Sequence, residues 1–216
     1  MTFKKSLLIA LLSFGIAQSA FSETDIEKFD RAFLFYELQN YSAAFSLFKQ
    51  LAEQGFANAQ YNLGVMYDEG QGVAQSNKQA VYWWQKAAEQ GYAKAQFNLG
   101  VMYDEGQGVA QSNKQAVYWW QKAAEQGYAK AQFNLGNAYY NGKGVAQSNK
   151  QAVYWYEKAA EQGLAQAQFN LGELYEYGSG VLKDLSKAKY YYGLACDGGN
   201  QGGCENYARL DKQGVK

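Results

Sequence analysis

The chain has 216 residues, of which 48% are hydrophobic and 17% aromatic, so it carries enough apolar surface for a packed core and lacks the composition of a disordered protein. Twenty basic residues balance twenty acidic residues, which leaves no net field to attract nucleic acid or anionic membranes. Histidine is absent, so the commonest general base and metal ligand at neutral pH is missing, and zinc sites and histidine-dependent hydrolysis are not expected.

The first segment, residues 1–22, has the pattern of a secretory signal peptide. Lys4 and Lys5 precede an apolar stretch from Leu7 to Ala17, and the residues AFS at 20–22 fit the small-x-small cleavage rule. The apolar stretch is about half the ~20 residues that a membrane-spanning helix needs, and no cysteine lies near the cleavage site to carry a lipid. We therefore predict a periplasmic or secreted protein that begins near Glu23 and has no stable membrane insertion.

A repeat of 36 residues organises the rest of the chain. The tetrapeptide AEQG recurs at this spacing, beginning at Ala52, Ala88, Ala124 and Ala160. Four full units follow one another, at 57–92, 93–128, 129–164 and 165–200, and the first two differ at only two positions. Proline is absent and glycine occurs 23 times, as expected for helices that end at glycine. A period of this length predicts an all-α fold, an α/α superhelical solenoid of helix-turn-helix repeats.

Each unit is predicted to contain two helices, which we name the leading and the trailing helix in chain order. In the first unit the trailing helix carries one apolar stripe at helical spacing, formed by Ala80, Trp83, Trp84, Ala87 and Ala88. Ser76 and Gln79 form a capping-box pattern at its start, and Gly91 stands where a left-handed residue ends a helix. The paired tryptophans lie on the stripe, so we interpret them as core residues.

The leading helix is predicted from Ala57 to Glu69 and has apolar residues on two sides, which places it between two neighbouring helices. Gly64 interrupts it at a cost of about 1 kcal/mol relative to alanine. The glycine recurs in the later units, as Gly100, Gly136 and Gly172. A cost repeated in every unit predicts a close helix approach at this position.

Atypical units are expected at both ends, because the last units of a solenoid have no neighbour to cover them. Residues 23–56 read as a degenerate N-terminal capping unit, related to the tetratricopeptide repeat. Thr24 and Glu27 box the start of its first helix, and the trailing-helix pattern spans Ser42 to Gln54. Residues 201–216 read as a partial C-terminal repeat.

The two cysteines lie one in the last full unit and one in the segment after it, at positions that align with residues of the preceding unit. Cys196 stands at the position of Ala160, and Cys204 at that of Gln168. A helical hairpin brings those positions together, and in an exported protein a disulfide is the first interpretation. A metal pair would lack two further ligands, and redox catalysis usually uses CxxC spacing.

The repeated pattern A-x-A-Q-x-x-L-G-x-x-Y-x-x-G-x-G-V, followed by K-x-A-x-x-W-x-x-K-A-A-x-x-G, resembles the Sel-one-like repeat, a relative of the tetratricopeptide repeat. The resemblance covers residues 57–200 and implies an α/α superhelix that serves as a protein-interaction scaffold. Members often cap the trailing helix with aspartate, which stands here only at Asp184, whereas serine occupies the other caps. A cysteine-rich secreted branch of the family staples nearly every hairpin, whereas this chain has one such cysteine pair.

No catalytic residue, cofactor or metal site is predicted, because almost every polar group recurs in each unit for structural reasons. Some cysteine-rich relatives carry penicillin-binding or weak β-lactamase assignments, and Ser46 and Lys49 match the S-x-x-K motif of such enzymes. Neither SDN nor KTG follows. A weak β-lactam or peptidoglycan hydrolase is therefore the alternative function. The acidic pairs Asp68-Glu69 and Asp104-Glu105 end their helices and are interpreted as surface residues, with weak divalent cation binding as the alternative.

A row of tyrosines is the predicted partner-binding site. Tyr82 lies about 170° around the helix from the centre of the apolar stripe, so its side chain is expected to face outward. The same position holds tyrosine in each later unit, at Tyr118, Tyr154 and Tyr190. With helices about 10 Å apart, the row would span ~30 Å, which matches roughly nine residues of extended peptide.

Gln85 and Gln121 lie near the row and are predicted to bond a protein or peptide partner. In the alternative interpretation, the tyrosines pack against the next trailing helix and only stiffen the superhelix. The sequence leaves this choice open, and it does not predict the oligomeric state.

Overall fold

The computed structural model describes residues 24–216, so the predicted signal peptide lies outside the described residues. The described part folds into eleven α-helices without a strand, which confirms the all-α prediction. In chain order the helices are α1 (Asp25–Glu37), α2 (Tyr41–Glu53), α3 (Ala57–Glu69), α4 (Asn77–Glu89), α5 (Ala93–Glu105), α6 (Asn113–Glu125), α7 (Ala129–Asn141), α8 (Asn149–Glu161), α9 (Ala165–Tyr177), α10 (Leu185–Asp197) and α11 (Gln201–Lys212). None of these helices has the length and apolar character needed to cross a membrane.

The extensive helix contacts run between consecutive helices along the chain, which is the contact pattern of a solenoid. Each leading helix packs between two trailing helices, as α3 does between α2 and α4. Ala59, Leu63 and Met66 of α3 are buried between these neighbours. The predicted two-sided burial of the leading helix is therefore confirmed.

The apolar stripe of the trailing helix forms the core. All five predicted residues of α4 are buried. Trp83 lies in one core cluster with Phe48 of the preceding unit, whereas Trp84 lies in the next cluster with Leu99 of the following unit. The paired tryptophans thus join one unit to both of its neighbours, which confirms their predicted packing role.

The helices begin and end at the capping residues that the sequence predicts. The Ser76 hydroxyl accepts a hydrogen bond of 3.3 Å from the backbone N–H of Gln79, which is the serine half of the predicted capping box. At α1 the box is complete, because Thr24 and Glu27 bond each other reciprocally. Gly91 takes a φ of +90°, the left-handed conformation expected after a trailing helix.

The C-terminal helix α11 packs against α10 and is also tied to α9. The Arg209 guanidinium donates to both oxygens of Glu176, at 2.7 and 2.8 Å, and the Tyr192 hydroxyl donates to the same carboxylate at 2.8 Å. Glu176 is only 8% exposed, and these bonds satisfy its buried charge. The network anchors α11 to α9.

Candidate interaction site

The four predicted tyrosines stand at the same place on four successive trailing helices. Their side chains are half-exposed, with relative exposures of 49% for Tyr82, 49% for Tyr118, 48% for Tyr154 and 60% for Tyr190. We call this set the tyrosine row. Each tyrosine lies opposite the buried stripe of its helix, so the helical period that buries the tryptophans also exposes the tyrosines.

Neighbours on the same helix hold the rings of the row. The Tyr82 ring meets the Trp83 ring edge-on, with centroids 5.0 Å apart, and the Lys86 ammonium lies 5.1 Å from the Tyr82 centroid. Tyr118 repeats both contacts with Trp119 and Lys122. Within residues 24–216, the ring-ring and cation contacts of the row stay inside one helix. The rings are therefore stiffened without being covered.

The predicted glutamines are already engaged on their own helices. The Gln85 amide donates to the Glu89 carboxylate at 2.8 Å, and the Gln121 amide donates to Glu125 at 2.9 Å. Both pairs lie at i,i+4 spacing beside the tyrosine row. A partner that bonds these glutamines would exchange an intrahelical hydrogen bond for an intermolecular one.

Cys196 and Cys204 form a disulfide, as predicted, with their Cα atoms 4.5 Å apart. The bond joins the end of α10 to the first turn of α11. It therefore fixes the terminal hairpin at its turn.

A set of buried glutamines was not predicted from the sequence. Gln60, Gln96, Gln132 and Gln168 are 3–6% exposed, and each donates to the carbonyl of the alanine eight residues earlier. The glutamine of the next AEQG tetrapeptide donates to the buried glutamine's side-chain oxygen, as Gln126 does to Gln96 at 2.7 Å. We call these bonds the glutamine ladder. The available clue in the sequence was that glutamine recurs at the same position of every leading helix.

The serine and lysine of the S-x-x-K motif lie on α2, whereas the two acidic pairs lie at the ends of α3 and α5. Ser46 is exposed on α2, and the Lys49 ammonium lies 3.9 Å from the Glu53 carboxylate. Of the acidic pairs, Asp104 is half-buried and its carboxylate lies 2.7 Å from the Lys143 ammonium, so it is not simply a solvated surface residue. Burial raises the pKa of Asp68. Residues 24–216 contain no cluster of three acidic or cysteine side chains that could hold a metal ion.

Two adjoining cavities open between the leading helices α5, α7 and α9. Their volumes are about 270 and 230 Å³, and they share the side chains of Asn137 and Asn141. Asn134 lines the first cavity and Asn170 the second. We call the pair the asparagine groove. The groove was not predicted from the sequence, although unit 129–164 differs from the preceding unit at several of these positions.

Solved structures similar to this chain come from several bacteria. The protective antigen c5321 of uropathogenic Escherichia coli, which displays an SLR fold, is 32% identical over 100% of this chain and 45% of its own, with a TM-score of 0.87. A Sel1 repeat protein from Oxalobacter formigenes is 36% identical over 84% of this chain and 74% of its own, with a TM-score of 0.80.

The chain thus spans less than half the length of the Escherichia coli protein. No protein with a curated description has a significant match to it. The Sel1 repeat profile matches residues 30–56, 57–92, 93–128, 129–164 and 165–200. With most of its length matched, the chain belongs to the Sel1 repeat family.

Proposed function

We propose that this protein is an exported, non-catalytic scaffold that binds a protein or peptide partner along the tyrosine row. Sel1 repeats generally mediate protein–protein interactions, and the scaffolds built from them are generally non-catalytic. The observation that carries the proposal is the exposure of an aromatic ring at one position of four successive trailing helices.

The chemistry of the row suits an interface. Tyrosine offers a large rigid contact area with a polar tip, and it is enriched among residues that dominate binding energy. The intrahelical contacts of Tyr82 and Tyr118 restrict their rings before a partner arrives, which lowers the ordering cost of association. An extended peptide of roughly nine residues would reach along the row.

Export is proposed on two grounds. The pattern of residues 1–22 is that of a secretory signal peptide, and the Cys196–Cys204 disulfide is a bond that persists in oxidising compartments. The periplasm and the extracellular space both meet this condition. In this arrangement, residues 23–56 serve as the N-terminal capping unit of the mature solenoid, and residues 201–216 form a partial C-terminal repeat.

The test compares affinity capture by the wild-type protein with capture by a Tyr118→Ala/Tyr154→Ala variant, using envelope and host-cell extracts. We expect the variant to capture at least about tenfold less partner than the wild type, since interface tyrosines often contribute about 2 kcal/mol or more to the binding free energy. Its melting temperature should change little, because both side chains are half-exposed. Tyr177→Ala is the matched control, since Tyr177 is 70% exposed and lies outside the row.

The packing interpretation predicts the opposite result. If the tyrosines only stiffen the superhelix, the double variant will melt at a lower temperature and still capture the partner. That outcome refutes binding along the row. Hydrolysis of a chromogenic β-lactam that disappears in Ser46→Ala would refute the non-catalytic part of the proposal.

A further inference from the structure

Most of the sequence differences between unit 129–164 and the unit before it lie in the asparagine groove. The two units differ at eight of their 36 positions. Six of the eight residues in the later unit line the asparagine groove: Asn137, Ala138, Tyr140, Asn141, Lys143 and Tyr156. The helix caps and the glutamine ladder are kept, and only two of the eight differences, at Glu157 and Leu164, lie outside the lining of this groove.

These differences change the size and chemistry of the side chains that line the cavities. Ala138 stands where the preceding unit has Met102, and the shorter side chain leaves space at the groove floor. Asn137 stands where that unit has Val101, which brings an amide to the wall. The Tyr156 hydroxyl, at the position of Trp120, donates to the Asn137 side-chain oxygen at 2.6 Å.

The charges of the groove leave one carboxylate without a counter-ion. The Lys143 ammonium is neutralised by Asp104 at 2.7 Å. Glu173 lines the second cavity, is half-buried, and has no ion-pair partner among the described residues. Burial and the nearby Glu176 carboxylate raise the pKa of Glu173. A cation from a ligand would compensate this charge.

We propose that the asparagine groove binds an extended peptide segment of a partner protein, and that a lysine or arginine side chain of this segment pairs with Glu173. An asparagine amide both donates and accepts, and an extended backbone presents unpaired donors and acceptors in turn. The cavities, at about 230 and 270 Å³, accept individual side chains. An amphipathic helix would require an apolar groove instead.

This site is distinct from the tyrosine row, because no tyrosine of the row lines its cavities. The trailing helices contribute only Trp120 and Tyr156, which lie on the buried stripe opposite the row. The two surfaces can therefore be tested separately. Loss of either one leaves the proposal for the other intact.

The test uses a library of hexapeptides with blocked termini, about 20 Å long when extended. Each position carries lysine, arginine or norleucine in turn, and binding to the full protein is measured by fluorescence anisotropy. We expect the selected peptides to require one basic residue, and its replacement by norleucine to weaken binding at least about tenfold. Glu173→Gln should weaken binding of the basic peptide by a similar factor and leave binding of the norleucine peptide unchanged.

The preceding unit supplies a reversion variant. Asn137→Val/Ala138→Met/Tyr156→Trp restores the residues that fold at 101, 102 and 120, and it should abolish peptide binding. Glu53→Gln, at an exposed carboxylate on α2, is the control for a change of net charge. The Tyr118→Ala/Tyr154→Ala variant should bind the hexapeptide like the wild type. If the reversion variant fails to fold, the Glu173→Gln comparison decides alone.

Three results would overturn the proposal. The first is a library in which no peptide with a basic residue is enriched. The second is an unchanged affinity for the selected peptide in Glu173→Gln or in the folded reversion variant. The third is binding of neutral oligosaccharides from a glycan array that the reversion removes, in the absence of peptide binding, since this would make the groove a carbohydrate site.

Discussion

The indole ring of Trp84 lies directly against the backbone of Gly64, so that a β-carbon at residue 64 would be only 2.5 Å from the indole Cδ1 and Nε1 atoms. The contact recurs in every full unit, as Gly100 with Trp120, Gly136 with Tyr156 and Gly172 with Tyr192. Glycine weakens a helix by about 1 kcal/mol relative to alanine. The close aromatic packing offsets this cost and explains why no unit carries a side chain here.

Gly136→Ala tests this contact in the third unit. The new β-carbon would lie 2.6 Å from the Tyr156 Cδ1 atom, so the ring must shift. We expect the free energy of unfolding in urea to fall by about 1–3 kcal/mol, despite the better helix propensity of alanine. Lys130→Ala, at an exposed position of the same helix, should stay within about 0.5 kcal/mol. A Gly136→Ala protein as stable as the wild type would contradict the contact.

Gln126→Ala tests the glutamine ladder between two units. The substitution removes the donor that lies 2.7 Å from the side-chain oxygen of Gln96, which is 3% exposed. A buried acceptor left unpaired costs about 1–3 kcal/mol, and we expect a loss of unfolding free energy of this size.

The matched control for the ladder is Gln121→Ala, because Gln121 is exposed and bonds Glu125 on its own helix. Its effect should stay within about 0.5 kcal/mol. Equal urea midpoints for the two variants would show that the ladder contributes nothing to stability.

Cys196→Ala/Cys204→Gln tests the role of the disulfide. It installs the residue pair of positions 160 and 168, where the glutamine amide donates to the alanine carbonyl at 3.2 Å. In the chain-entropy account, closing so short a loop contributes about 2.5 kcal/mol. We expect the variant to fold with an unfolding free energy lower by up to this amount. Reductant should lower the wild-type urea midpoint and leave the variant unchanged, whereas a reductant-insensitive wild type would contradict a stabilising disulfide.

Glu173→Gln should stabilise the protein in a pH-dependent way. Burial and the Glu176 carboxylate raise the pKa of Glu173 above its ordinary value of 4.5. The folded state therefore disfavours the ionised form, and this cost grows as the pH rises from the unfolded pKa through the folded one. The variant should melt like the wild type near pH 4 and at a higher temperature near pH 7. A lower melting temperature at pH 7 would mean that ionised Glu173 has a stabilising partner within the protein.

The repeat spacing was sufficient to predict the fold and much of its detail. Helical periodicity identified the buried stripe of α4, and the recurring glycine predicted a close helix approach at residue 64, where the structure places the Trp84 ring. The equivalence of Cys196 and Cys204 with positions in a hairpin predicted their bond. These features depend on residues close in sequence or related by a fixed period, so local geometry is enough to infer them.

The asparagine groove and the bonds of the glutamine ladder that cross between units join residues of different units, such as Gln96 with Gln126 and Asn137 with Asn170. The sequence by itself determined the helices, their stripes and the order in which the units stack. The tertiary structure alone decided which polar side chains meet across units, because the packing of successive helices sets those distances. It also revealed that most differences in unit 129–164 lie in the lining of one groove.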